Sequence, residues 1–115
     1  MTDLAFLGIA DAADLIRARK LSPVEYVEAL LDRIGRLDSR YHAFIRLTPD
    51  LALAAARRAE KEIAGGNWRG PLHGIPTGLK DIIDCAGVPT TAHSKVLAQN
   101  VAATDAAVTQ RLKSA

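Results

Sequence analysis

Apolar positions near the start of the chain recur at helical spacing. Ile9, Ala12, Ala13 and Ile16 share one face and predict a short amphipathic helix over about 9–19. Ser22-Pro23-Val24-Glu25 then has every part of a helix start. The serine can cap, proline suits the first helical position, and the glutamate sits three residues past the cap as in a capping box. Val24, Val27, Leu30, Leu31 and Ile34 continue as one apolar face through about residue 36. Residues 41–47, with Phe44, Ile45 and Leu47, read as a short strand. Thr48-Pro49-Asp50 repeats the cap-then-proline signal and opens an alanine-rich helix to about residue 64. Gly65-Gly66 ends it, because glycine tolerates the left-handed conformation past a helix terminus.

Beyond Gly66 the texture changes. Pro71, Pro76 and Pro89 stand among Gly70, Gly74, Gly78 and Gly87, which excludes long helices from about 67 to 91. Short extended segments joined by turns are expected, with 75–80 and Ile82-Ile83 as the extended pieces. Thr104-Asp105 should cap a last helix whose Val108 and Leu112 share a face. That helix runs to the chain end without glycine or proline, which points to a fragment of a larger domain. The 115 residues are expected to form a single unit, with a helical part over 1–66 and a motif-bearing part over 67–115.

Composition thins the core that the pattern promises. Apolar residues make up 49%, but alanine supplies 21 of them and the aromatics only five. Alanine buries little area and favours helix. Fifteen basic residues against thirteen acidic ones give a net charge of +2 and no basic stripe, so no nucleic-acid partner is expected. No stretch approaches the roughly 18 apolar residues of a membrane span. A lone cysteine, Cys85, and a start without signal-peptide features suit a cytoplasmic protein.

Chemistry concentrates between Pro71 and Ser94. Lys80 stands beside Leu79 and just ahead of Ile82-Ile83 in a backbone shaped by glycine and proline. A lysine held among apolar residues loses solvation of its charged form, and the neutral amine can then act as a base. Asp81 pulls the other way, since a nearby carboxylate favours the ammonium, and an exposed lysine paired with its neighbour is the bland alternative. Gly74, Gly78 and Lys80 do not make a phosphate-binding loop. Three residues rather than four separate the glycines, Leu79 intervenes, and Asp81 replaces the serine or threonine. His42, His73 and His93 are too far apart for a local metal-ligand pattern, and Cys85 has no partner cysteine, so neither a metal nor a cofactor is expected.

Pro71-Leu72-His73-Gly74-Ile75-Pro76, then Lys80-Asp81, then Gly87-Val88-Pro89-Thr90-Thr91-Ala92 resemble the opening motif of the amidase signature family. Leu21-Ser22-Pro23-Val24-Glu25 and Ala43-Phe44 are similar to that family's N-terminal helices and first strand, so the likeness covers nearly the whole chain. Two positions depart from it. His93 stands where the family usually has glycine or another small residue, and Gly78 where the stretch is more often apolar.

The resemblance implies an α/β fold, a mixed sheet covered by helices, of which this segment supplies helices and short strands. It implies an enzyme that hydrolyses small carboxylic amides through a Ser–cis-Ser–Lys triad, without a cofactor. Lys80 matches the base, which acts through a middle serine on a second serine that attacks the carbonyl and forms an acyl-enzyme. Both family serines belong to a Gly/Ser-rich stretch. Ser22 (a cap), Ser39 (in a turn), Ser94 and Ser114 are the serines here, and none lies in such a run, so only the lysine is present. The isolated chain is therefore expected to be inactive and, with unpaired strand edges, to self-associate. The alternative is a non-catalytic truncated product or interaction module.

Overall fold

The computed structural model describes residues 3–115. Its contacts cluster into two compact units, Met1–Pro76 and Thr77–Ala115. The first unit opens with a single 3-10 turn, Leu4–Phe6, followed by three helices: α1 (Ile9–Arg17), α2 (Pro23–Tyr41) and α3 (Pro49–Ala64). The second contains one helix, α4 (Ala107–Ser114).

Local signals place the ends of α2 and α3. Ser22 Oγ accepts the Val24 and Glu25 amides at 3.0 and 3.2 Å, the side-chain half of the expected capping box, with Pro23 at the first helical position. The same hydroxyl donates to Glu60 Oε1 at 2.5 Å, so one cap also joins α2 to α3. At the end of α3, Gly66 takes φ +90°. Its N–H reaches the Ile63 carbonyl, and the Asn67 N–H reaches Glu62, the paired bonds of a Schellman motif. The α1 helix stops the same way, two residues short of the expected 19. There Arg19 adopts φ +57° while Arg19 and Lys20 donate to Ile16 and Leu15. An arginine in the left-handed position carries no sequence signal for that stop.

The core of this unit is Ala12, Ile16, Leu21, Tyr26 and Ile63, with Leu15, Leu30, Trp68 and Ile75 packed against it. Arg17 lies over the Trp68 ring at 4.6 Å and closes one side with a cation–π contact.

Four expectations are corrected. No strand forms over 41–47: α2 runs on to Tyr41, past the expected 36, and His42 ends it in the left-handed region at φ +50°. Asp38 Oδ1 then accepts the Ala43 and Phe44 amides, so a local carboxylate takes the donors a neighbouring strand would have taken. Nor are there strands at 75–80 or at Ile82-Ile83, where the Ile83 N–H closes a turn onto the Lys80 carbonyl. Among the described residues the sole β pairing is an isolated antiparallel bridge, Pro89 to Val101. Ser39 lies inside α2 and not in a turn. Finally, α4 begins at Ala107 without a side-chain cap, because its N-cap residue is Ala106, one position past the expected Thr104-Asp105, and alanine has no side-chain acceptor.

The second unit is held by polar staples more than by apolar packing. Around the bridge, Gly87 N–H donates to Ala102 O and Thr90 N–H to Asn100 O, both at 2.9 Å. Thr109, the unit's buried residue, donates its hydroxyl to the Asp84 carbonyl at 2.7 Å. Asp105 accepts the Ala86 amide at 2.7 Å and Lys113 Nζ at 2.8 Å, which ties α4 to the preceding loop. The Lys113 hydrogen bonds, then the Ala86 amide, hold the Asp105 carboxyl below its usual range.

Candidate functional site

The motif divides at the boundary between the units: residues 71–76 close the first and Lys80 lies near the start of the second. In the first, His73 is 1% exposed and fully hydrogen-bonded. Its Nδ1 accepts the Arg69 N–H at 3.0 Å, so the ring proton sits on Nε2 and is donated to Glu62 Oε2 at 2.8 Å. This histidine is a structural peg between the motif loop and α3. Next to it, Gly74 has φ +86°, and a Cβ there would stand 2.9 Å from Pro23 Cγ. Only glycine lets the loop lie this close to the first turn of α2.

Lys80 itself is exposed. Leu79 and Ile83 are half-buried and Ile82 is exposed, so its sequence neighbours do not enclose it. The pairing with Asp81 that the sequence suggests does not form. Among the described residues no carboxylate lies within ion-pair distance of the Lys80 ammonium.

Asp81 turns instead to the loop ten residues on. Its Oδ1 accepts the Thr91 N–H at 2.8 Å, and its Oδ2 accepts the Thr91 hydroxyl and the His93 N–H. Its backbone carbonyl accepts the Ala92 N–H at 2.8 Å. The Thr91 hydroxyl, then the Thr91 amide, hold the Asp81 carboxyl below the usual carboxylate range. The loop so held is a tight turn in which Ser94 N–H donates to Thr91 O at 2.8 Å. Both central residues, Ala92 and His93, have positive φ, +48° and +56°, the arrangement of a type I′ turn. Glycine and asparagine favour such positions, and this is the physical sense of a small residue where His93 stands.

Three of the four serines are bonded elsewhere, and Ser39 lies within α2. Ser22 caps α2, Ser94 Oγ accepts the Val96 N–H, and Ser114 donates to the Gln110 carbonyl. Among the described residues none bonds to Lys80, and no group of three or more His, Cys, Asp or Glu side chains is placed to hold a metal ion. Nor is any described helix long and apolar enough to cross a membrane. Sequence reasoning named His73 and Thr91 within the motif but missed their bonds, His73 to Glu62 and Thr91 to Asp81. Their partners lie 10 and 11 residues away, beyond the reach of local spacing rules.

Comparison with known proteins places this geometry. A family model described as Amidase matches residues 25–115. The chain is 43% identical over 116 residues to a glutamyl-tRNA(Gln) amidotransferase subunit of Rhodococcus erythropolis, covering all of this chain and 24% of that protein. It is 41% identical over 109 residues to a putative amidase AmiD of Mycobacterium tuberculosis, covering 95% and 23% respectively. A crystal structure of PAM12A superposes with a TM-score of 0.89 at 39% identity, over 96% of this chain and 23% of that one. The chain thus spans about a quarter of the length of the relatives it matches.

Proposed function

Because this chain belongs to the amidase family, we propose that it supplies the base of a Ser–cis-Ser–Lys triad in a hydrolase of carboxylic amides. The observation that carries the reading is Lys80. It stands in the matched motif with no carboxylate, among the described residues, within ion-pair distance of its ammonium, and its backbone carbonyl accepts the Ile83 N–H at 3.0 Å. A base must give up its charge at working pH, and an ion pair would oppose that. The relay serine and the nucleophile would come from a Gly/Ser-rich stretch outside these residues. So would the strands that complete a mixed sheet. In the reaction the lysine takes the relay proton as the nucleophile attacks the amide carbonyl, and the leaving amine departs protonated. Water then hydrolyses the acyl-enzyme to acid.

The test is substitution of Lys80 in an active amidase carrying this segment. Lys80→Ala should lower kcat by at least about 10²-fold, and Lys80→Arg should not rescue it, because guanidinium stays protonated. Near-native kcat in Lys80→Arg would reduce the residue to a positive charge and sink the base role. The chain on its own should release no ammonia from simple amides above a Lys80→Ala control.

A second reading is an interaction module without catalysis. Five large apolar side chains, Tyr41, Phe44, Ile45, Leu47 and Leu51, stand exposed within eleven residues, as a surface awaiting a partner would. On either reading the isolated chain should self-associate. A monomer at all concentrations in sedimentation velocity would count against both.

A further inference from the structure

The backbone is tied down immediately after Lys80. The Lys80 carbonyl accepts the Ile83 N–H at 3.0 Å, and the Asp81 carbonyl accepts the Ala92 N–H at 2.8 Å. The Asp81 carboxylate takes three more donors: the Thr91 N–H, the Thr91 hydroxyl and the His93 N–H. Thr91 Oγ1 in turn accepts the His93 N–H at 3.1 Å, which closes a small network across residues 91–93. Lys80 contributes none of these donors, although it is adjacent to Asp81 in sequence. The carboxylate binds the His93 amide, and it forms no ion pair with the Lys80 ammonium.

We propose, resting on the reading of Lys80 as the base, that Asp81 is a positioning residue and not the counter-ion of Lys80. It fixes the backbone that carries the lysine by clamping it to the Thr91–His93 turn. A carboxylate offers about four lone-pair sites, and three are occupied by this turn. Hydrogen bonds to an ionised acceptor are roughly twice as strong as neutral ones, so the clamp is stiffer than a backbone turn alone. A base must stand within hydrogen-bond reach of the proton it takes, and a small displacement of its mount is enough to lose that reach. Keeping the carboxylate's acceptor sites occupied has a second consequence. The charge next to the lysine is spent on amides and a hydroxyl, so the clamp positions Lys80 without forming the ion pair that would hold its proton.

Two measurements separate the clamp from the catalytic reading. In this chain, hydrogen exchange of the Thr91, Ala92 and His93 amides should accelerate by about tenfold or more in Asp81→Ala and in Thr91→Val. Thr91→Ser, which keeps the hydroxyl, should retain protection. Wild-type protection in Asp81→Ala would overturn the clamp, whatever Lys80 does. In an active amidase carrying the segment, Asp81→Asn and Thr91→Val should each lower kcat by about 10- to 100-fold with KM little changed. Thr91→Ser should restore kcat, and the midpoint of the kcat–pH profile should not move. An Asp81→Asn variant that shifts this midpoint while Thr91→Val keeps full kcat would make Asp81 a counter-ion and overturn the proposal. Wild-type kcat in Lys80→Arg would remove the base reading and the catalytic half of the proposal with it, while the exchange measurement still decides the clamp.

Discussion

Adding one methyl group at Gly74 should destabilise the first unit by about 1–4 kcal/mol, from two separable causes. The first is conformational. Gly74 has φ +86°, where a side chain costs roughly 1–2 kcal/mol, offset by about 0.4–1 kcal/mol because alanine has less freedom to lose on folding. The second is steric. The new Cβ would stand 2.9 Å from Pro23 Cγ, 3.3 Å from Pro23 Cβ and 3.5 Å from Ile16 Cγ2. Pro23 cannot swing aside. Its ring is buried at the first position of α2, next to a cap that bonds both Val24 and Glu25. Overpacking of this kind costs about 1–3 kcal/mol.

Gly66 provides the control. Its φ is +90°, nearly that of Gly74, and nothing lies within 4 Å of its would-be Cβ. Gly66→Ala should therefore carry the conformational cost alone, about 1 kcal/mol or less. Urea unfolding followed by far-UV circular dichroism measures both, and the difference between them isolates the contact with Pro23. With slopes of about 1–3 kcal/mol per molar urea, an excess of 2 kcal/mol is a readable midpoint shift. Repeating Gly74→Ala in a Pro23→Ala background should shrink that excess, since the two positions touch. Losses for Gly74→Ala and Gly66→Ala that agree within about 0.5 kcal/mol would refute the close-approach argument.

Other outcomes follow from the same geometry. Ser22→Ala should cost about 1 kcal/mol in urea unfolding, through the two capped amides, and an unchanged midpoint would contradict the cap. His93→Gly should stabilise the chain by about 0.5–1 kcal/mol, because it relieves a left-handed side chain in a turn that glycine suits; a loss would mean the imidazole contributes more than the strain. Asp81, chiefly through the Thr91 hydroxyl, and Asp105, chiefly through Lys113, both have depressed carboxyl pKa values. A depressed folded pKa gives stability that is present above the unfolded value and lost as pH falls through the folded one. Exchange protection at Thr91 and His93 should therefore decline below about pH 4, and protection that persists unchanged to about pH 2 would refute the assignment.

What was legible in the sequence is what short-range rules encode. Ser22-Pro23 and Pro49 mark the starts of α2 and α3, and Gly65-Gly66 the end of α3, because capping and the left-handed exit are decided within one turn of helix. Where a non-glycine takes the exit position the same rules overshoot, as at Arg19, or undershoot, as at His42 at the end of α2. The apolar run at 41–47 has strand-like composition, but a strand is a pairing, and composition does not supply a partner. Lys80 was singled out through the motif. Its setting was not legible, since the neighbour expected to pair with it bonds to Thr91 and His93, and only folding brings those groups together.

The two units also differ in what makes them rigid, and this bears on how the lysine could act. The first has an apolar core and a buried histidine peg. The second relies on polar staples, each worth about 0.5–1.5 kcal/mol net, and leaves Ile82, Val96, Leu97, Val101 and Val108 exposed. Lys80 belongs to the second. Hydrogen bonds hold its mount on the C-terminal side, but the low-dielectric surroundings that favour a neutral amine are not provided by its own neighbours. On the proposed reading, orientation and desolvation therefore have different sources. The Asp81 clamp orients the lysine, while the surface that excludes water from it arrives with the serines it serves.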